Sequence, residues 1–81
     1  MNHSEKKLYA HANQWREAAI SRPQTIPAAI SMQRQQAADQ HNRQAGISDA
    51  DVLKDQQLYI LGKMELDEYQ DYLLFKHRQA G

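Results

Sequence analysis

The sequence predicts an all-α fold: a small bundle of three to four helices ending in an antiparallel helical hairpin. Three observations lead there. Apolar residues recur at three- and four-residue intervals along several stretches, no stretch of useful length alternates polar with apolar residues as a strand does, and glycine or proline separates the stretches. Ser48 to Arg78 is the organising segment, because it reads as two helices broken at Gly62 and carries most of the large apolar side chains.

The first helix is expected from a cap at Ser4 to Ile20, with Leu8, Ala12, Trp15 and Ala19 on one face and Trp15 as its anchor. Glu5 suits the positive end of that helix, whereas Lys6 and Lys7 do not. Arg22-Pro23 stops it, since the residue before proline disfavours the helical region. A linker follows to Ile26, and Pro27 suits the first turn of a second helix running to Gln44. After Met32 that helix offers only alanines among glutamines and charged residues, so its propensity is good and its apolar surface small. It is expected to be solvated, or docked by small residues and hydrogen bonds onto another protein.

Gly46 supplies a left-handed helix stop, and Ser48 with Asp49 and Asp51 resembles a capping box, which starts the third helix near Asp49. Its inner face is expected to hold Val52, Leu53, Gln56, Tyr59 and Ile60, widened by Leu58 and Leu61. After Gly62 the short turn Lys63-Met64-Glu65 makes antiparallel neighbours of the third helix and a fourth, Leu66 to Gln79. Acidic residues at the start of the fourth helix and Lys76, His77 and Arg78 at its end both suit the helix dipole. The predicted core is Leu53, Tyr59, Ile60, Leu66, Tyr69 and Leu73. Tyr72, Leu74 and Phe75 add apolar surface beyond what pairing with the third helix buries, and that surplus must meet the first helix or a partner.

At 81 residues this is one domain overall, divided into an N-terminal helix and linker (1–26) and a helical region (27–81). A chain so short buries a modest fraction of its surface, so a partner or a second copy is an expected source of stability. Ten basic and ten acidic residues cancel, which leaves no net field toward nucleic acid or an anionic membrane. Without cysteine there are no disulfides or thiolate metal sites, and without a continuous apolar run near the N-terminus there is neither a signal peptide nor a membrane span. A cytoplasmic location is the expectation.

No chemistry of catalysis stands out. His3, His11, His41 and His77 lack the spacing that puts two imidazoles on one helix turn, so no metal is expected. The carboxylates Asp49/Asp51 and Asp67/Glu68/Asp71 lie at helix starts, where the dipole accounts for them, and no enzyme and no cofactor follow. A DNA-reading helix–turn–helix over 48–78 is disfavoured, because the would-be recognition helix begins with Glu65, Asp67, Glu68 and Asp71.

The segments SDADVLKDQQLYILGKMELDEY (48–69) and, upstream, HNRQAGI (41–47) carry a family likeness. From Gln33 to His77 the chain resembles the VbhA-type antitoxins, small all-helical proteins that bind and silence Fic-domain toxins. The resemblance implies a non-catalytic, bacterial, antitoxin-like binder of an AMP-transferring partner. In that family a short helix carries Ser or Thr, three variable residues, Glu, and then Gly or Asn, and the glutamate pairs with an arginine in the toxin's active site. Those positions fall here on His41, Ala45 and Gly46. The glycine matches; the hydroxyl and the glutamate do not, and alanine forms no ion pair. The partner-binding residues implied are therefore His41, Arg43, Ala45 and Gly46, acting by obstruction or by stabilising the toxin. The family's members lack an equivalent of 1–26. The alternative reading is a small helical phage or plasmid protein that regulates or blocks another host protein, or one that assembles with itself.

Overall fold

The computed structural model describes residues 9–80, which form four helices and no strand: α1 (Ala12–Ile20), α2 (Ala28–Ala45), α3 (Ala50–Ile60) and α4 (Leu66–Ala80). The all-α bundle is thus as the sequence predicts. Helix α1 packs on α3 and α4, these two pack on each other, and α2 leans on α3 alone. Contacts between α3 and α4 pair Tyr59 with Tyr69, Asp55 with Tyr72 and Asp51 with Lys76, so the two helices run in opposite directions.

Trp15 is the centre of the core, 2% exposed, and its neighbours come from opposite ends of the sequence. Tyr9 stacks on it at 5.6 Å between centroids, Tyr72 meets it edge-on at 5.7 Å and Phe75 at a tilt at 5.7 Å. Offset and edge-to-face pairs of this kind add to the area they bury. Ala12, Ala19, Leu58, Met64 and Tyr72 complete the cluster, with Tyr69 and Leu73 packed against it. Helix α1 therefore covers Leu58, Tyr72 and Phe75, the surplus that the hairpin cannot bury by itself, while Leu74 stays exposed.

Helix α1 begins later than its periodicity suggests. His11 is extended (φ −135°, ψ 151°) and 9–11 are not helical, because α4 holds them instead. Gln79 Oε1 accepts from the Ala12 N–H at 2.7 Å, and Gln79 Nε2 donates to the Ala10 carbonyl at 2.8 Å. Long-range bonds here replace the helical turn. Ser4 and Leu8 lie outside the described residues.

The inner face of α3 also differs from expectation, by about one residue of rotation. Leu53 is 37% exposed and Val52 39%, whereas Asp55 and Leu58 are buried at 2% each. On α4, likewise, Leu66 is 52% exposed and Tyr72 is buried in its place. Of the predicted core, Ile60 is buried, Tyr59, Tyr69 and Leu73 are half-buried, and Leu53 and Leu66 are corrected to surface positions.

A charge network sets this rotation. The Asp55 carboxylate accepts from Tyr72 Oη at 2.7 Å and from Arg16 Nη1 at 3.2 Å, and Lys76 Nζ donates to its other oxygen. Arg16 and Lys76 also both reach Asp51, with Arg16 Nη1 at 2.8 Å. A buried carboxylate is tolerated only when paired and hydrogen-bonded, so α3 must turn Asp55 toward α1 and α4. The hydrogen bonds from Lys76 and Arg16 hold the Asp51 carboxyl down at about 2, and burial, followed by the bond to Asp55, raises the Tyr72 phenol. Burial alone lowers the Lys76 ammonium, but its bonds to Asp51 and Asp55 outweigh that and leave it raised.

A second network ties the linker to the hairpin turn. Arg22 grips Glu68 with two parallel bonds of 2.8 and 2.9 Å, and Trp15 Nε1 donates to the same carboxylate at 3.0 Å. Arg22 also donates to the Lys63 carbonyl at 2.8 Å, and Lys63 Nζ returns a bond to the Ile20 carbonyl at 2.9 Å. Gly62 (φ +74°) ends α3, with Lys63 N–H bonded back to the Leu58 carbonyl at 2.9 Å. Glycine is required there twice over, since a Cβ would lie 2.8 Å from Ile26 Cγ1 in addition to the strain of positive φ. The third helix is capped by Asp49, whose side chain accepts from the Asp51 N–H, and not by Ser48.

Two outcomes follow for stability. Ile60→Ala should cost about 2–4 kcal/mol, whereas Leu66→Ala should stay within about 0.5 kcal/mol, both read by chemical denaturation. Because Asp51 titrates below the ordinary carboxylate range when folded, its ion pairs stabilise fully above about pH 4. That contribution is lost as the pH falls toward about 2. Asp51→Asn should accordingly flatten the acid limb of a plot of melting temperature against pH and leave its neutral region less stable.

Candidate functional site

Helix α2 has the longest run in the molecule and the least apolar anchoring. Its buried residues are Ser31 and Asn42, and large apolar side chains on it, Ile30 and Met32, face solvent. Hydrogen bonds fix it to α3. Asn42 and Gln56 exchange amide bonds of 2.8 and 2.9 Å, and Gln57 donates to Gln35 at 2.9 Å. Arg34 donates to the Tyr59 carbonyl at 2.7 Å, on the last turn of α3 where the helix dipole favours a cation, and its guanidinium lies 4.1 Å over the Tyr59 ring. The helix expected to be solvated, or docked by small residues and hydrogen bonds onto another protein, is thus docked by hydrogen bonds within the chain, through Arg34, Gln35 and Asn42.

Since α2 and α4 flank α3 without touching each other, a groove runs between them with α3 as its floor. It encloses about 780 Å³ and is predominantly apolar. Tyr59 and Tyr69 stack across it at 6.0 Å, and Leu73, Ile60, Val52 and Leu66 continue the surface. Burial raises the Tyr69 phenol, which therefore stays neutral. Arg34, Ala37, Ala38 and His41 line the α2 wall at helical spacing, and Lys76 and His77 the α4 wall.

Of the residues singled out for partner binding, His41 lines the groove. Ala45 lies one helical turn further along the same stripe of α2, exposed, and Gly46 ends the helix at φ +72° with nothing within 4 Å of a would-be Cβ. Arg43 is exposed and does not line the groove. The four residues thus sit at one end of one helix without converging on a common cavity. Val52 and Leu66, assigned to the interior from their spacing, and Arg34, passed over, are the groove's own surface. The signal for Arg34 was present in its period with Ala37, Ala38 and His41.

The carboxylates in the groove are engaged by Arg16, Tyr72 and Lys76, and among the described residues no group of three or more His, Asp or Glu is placed to hold a metal ion. No described helix is long and apolar enough to cross a membrane.

The polar docking of α2 makes a sharp expectation. Gln56→Ala strands the buried Asn42 amide and should cost about 1–3 kcal/mol, and Asn42→Ala in the same chain should add much less than its own single effect, because both lose one shared interaction. Denaturant titration of the two single variants and the double variant measures it.

No family model matches the chain, and neither a curated protein nor a solved structure matches it.

Proposed function

We propose that this chain is a non-catalytic protein-binding module, antitoxin-like and acting in the bacterial cytoplasm, that grips a Fic-type AMP-transferring toxin or a relative of one. The observation that carries the binding reading is the apolar groove between α2 and α4, in which Val52 and Leu66 are exposed beside Tyr59, Tyr69 and Leu73. An exposed apolar concavity with a polar rim marks a protein interaction surface. The Fic-type partner is drawn from the likeness over 33–77.

Ala45 stands where that family has its inhibitory glutamate, so silencing here works by occlusion and leaves no ion pair in the toxin's active site. The same residue favours the second reading, in which the groove serves a different host protein.

Co-purification of the chain with the Fic-domain protein of a neighbouring gene tests the proposal, followed by an assay of AMP transfer. A stable complex and reduced transfer are expected. Val52→Lys and Leu66→Lys together should abolish the complex while leaving the melting temperature within a few degrees, because both residues are surface-exposed. Absence of a complex, or full AMP transfer in its presence, would refute the Fic assignment.

A further inference from the structure

The groove also indicates what kind of segment occupies it. We propose that it receives one amphipathic helix of the partner protein, whose apolar stripe lies over Tyr59, Tyr69 and Leu73 and whose carboxylate enters between His41 and His77. This rests on the protein-binding reading above and adds the chemistry of the bound segment.

A helix is favoured over an extended peptide by backbone accounting. All three sides of the groove are helices, whose backbone groups bond internally, and the described residues offer no strand edge. An extended segment laid on Tyr59, Tyr69 and Leu73 would bury N–H and C=O groups over apolar side chains without partners. A helix satisfies its own. The α3 floor is 11 residues long, so a helix of about three turns, roughly 16 Å, matches it.

The charge of the occupant follows from which groups in the groove are already engaged. Asp55 accepts from Tyr72, Arg16 and Lys76, and Asp51 from Arg16 and Lys76, so neither carboxylate calls for an incoming cation. Arg34 is held by the Tyr59 carbonyl and ring and by Glu65 at 3.5 Å. His41 and His77 differ, since neither has a hydrogen-bond or ion-pair partner among the described residues. They line the groove from opposite walls. Both α2 and α4 run antiparallel to α3, as the pairs Asn42–Gln56, Arg34–Tyr59, Asp51–Lys76 and Tyr59–Tyr69 show, which places the two imidazoles at the same end, beside Val52. An imidazole N–H donates to a carboxylate in either protonation state of the ring.

A second copy of the chain does not supply such a helix. Exposed large apolar residues number one on α1, Ile20, and two on α2, Ile30 and Met32, which are two positions apart and so do not share a stripe. Of the rest, Val52 and Leu66 line the groove itself, and Leu53 on α3 and Leu74 on α4 each stand singly outside it, so neither of these helices presents a second stripe.

The test uses the isotope-labelled full chain and two synthetic helical peptides of about three turns. Both carry leucines at helical spacing; one has glutamate at each end, the other lysine. Nuclear magnetic resonance titration should show shifts at Val52, Leu66 and Leu73 with the glutamate peptide, and roughly tenfold weaker binding of the lysine peptide. The double variant His41→Ala/His77→Ala, altered at two surface positions, should remain folded and remove that preference. Equal affinity for the two peptides, no binding of either, or shifts away from the groove would overturn the proposal, as would a dimer in sedimentation with those same residues protected. Glutamate preference without any complex with a Fic-domain protein would refute the toxin assignment and uphold the occupant's chemistry.

Discussion

The carboxylate of Asp55 is the constraint from which the arrangement follows. A charge with 3% of its side chain exposed must be compensated on the spot, and the groups that compensate it come from two different helices: Arg16 on α1, and Tyr72 and Lys76 on α4. Each donor has one reach and direction, so together they fix the rotation of α3 and the seat of α1. Removing a partner from such a site typically costs about 3–5 kcal/mol, a large share of what a domain of this size possesses. Asp51, one turn earlier on the same stripe, shares Arg16 and Lys76 and joins the outer rim of the network to its buried centre. Trp15 then fills the space that the network encloses, its Nε1 bonded to Glu68 and its ring packed by Tyr72 and Phe75.

Turning Asp55 and Leu58 inward turns Val52, Gln56 and Tyr59 outward. This second face of α3 is what α2 leans on, and it does so with amides and an arginine in place of leucines. Hydrogen bonds of this kind contribute modestly, about 1 kcal/mol each, and α2 brings no large apolar side chain into the core. The helix is accordingly the part of the molecule with the least to hold it, between a proline at one end and a left-handed glycine at the other. Binding surfaces are commonly drawn from such low-stability elements. The groove exists because α2 covers part of the outward face of α3 and α4 does not close over the remainder.

Helix content was legible in the sequence because it rests on local rules. Gly46 and Gly62 stop helices where their positions implied, and α2 and α4 end within a residue of where their patterns end. The facing of the helices was harder to read. A polar residue at the centre of an inward stripe contradicts the hydrophobic pattern, so Asp55 shifted the apparent face of α3 onto Leu53, and the register of α4 onto Leu66. Its compensation comes from Arg16, 39 positions away, which no local window contains. Met64 was hidden for the opposite reason, since it sits in a turn and is nonetheless 1% exposed. Of the groove's lining, the α2 wall could be read from the helical spacing of Arg34, Ala37, Ala38 and His41, and the rest could not, because a groove is defined by which faces remain uncovered after packing.

Native-state hydrogen exchange on the full chain tests most directly the division of labour between a core locked by Asp55 and a wall held by amides. Amides of α1, α3 and α4 should open together at the free energy of global unfolding, and those of α2 should open at a distinctly lower one, with Asp55→Asn lowering the first and sparing the second until the fold is lost. Protection of α2 equal to that of α3, or an α1 that opens independently of α3 and α4, would contradict it.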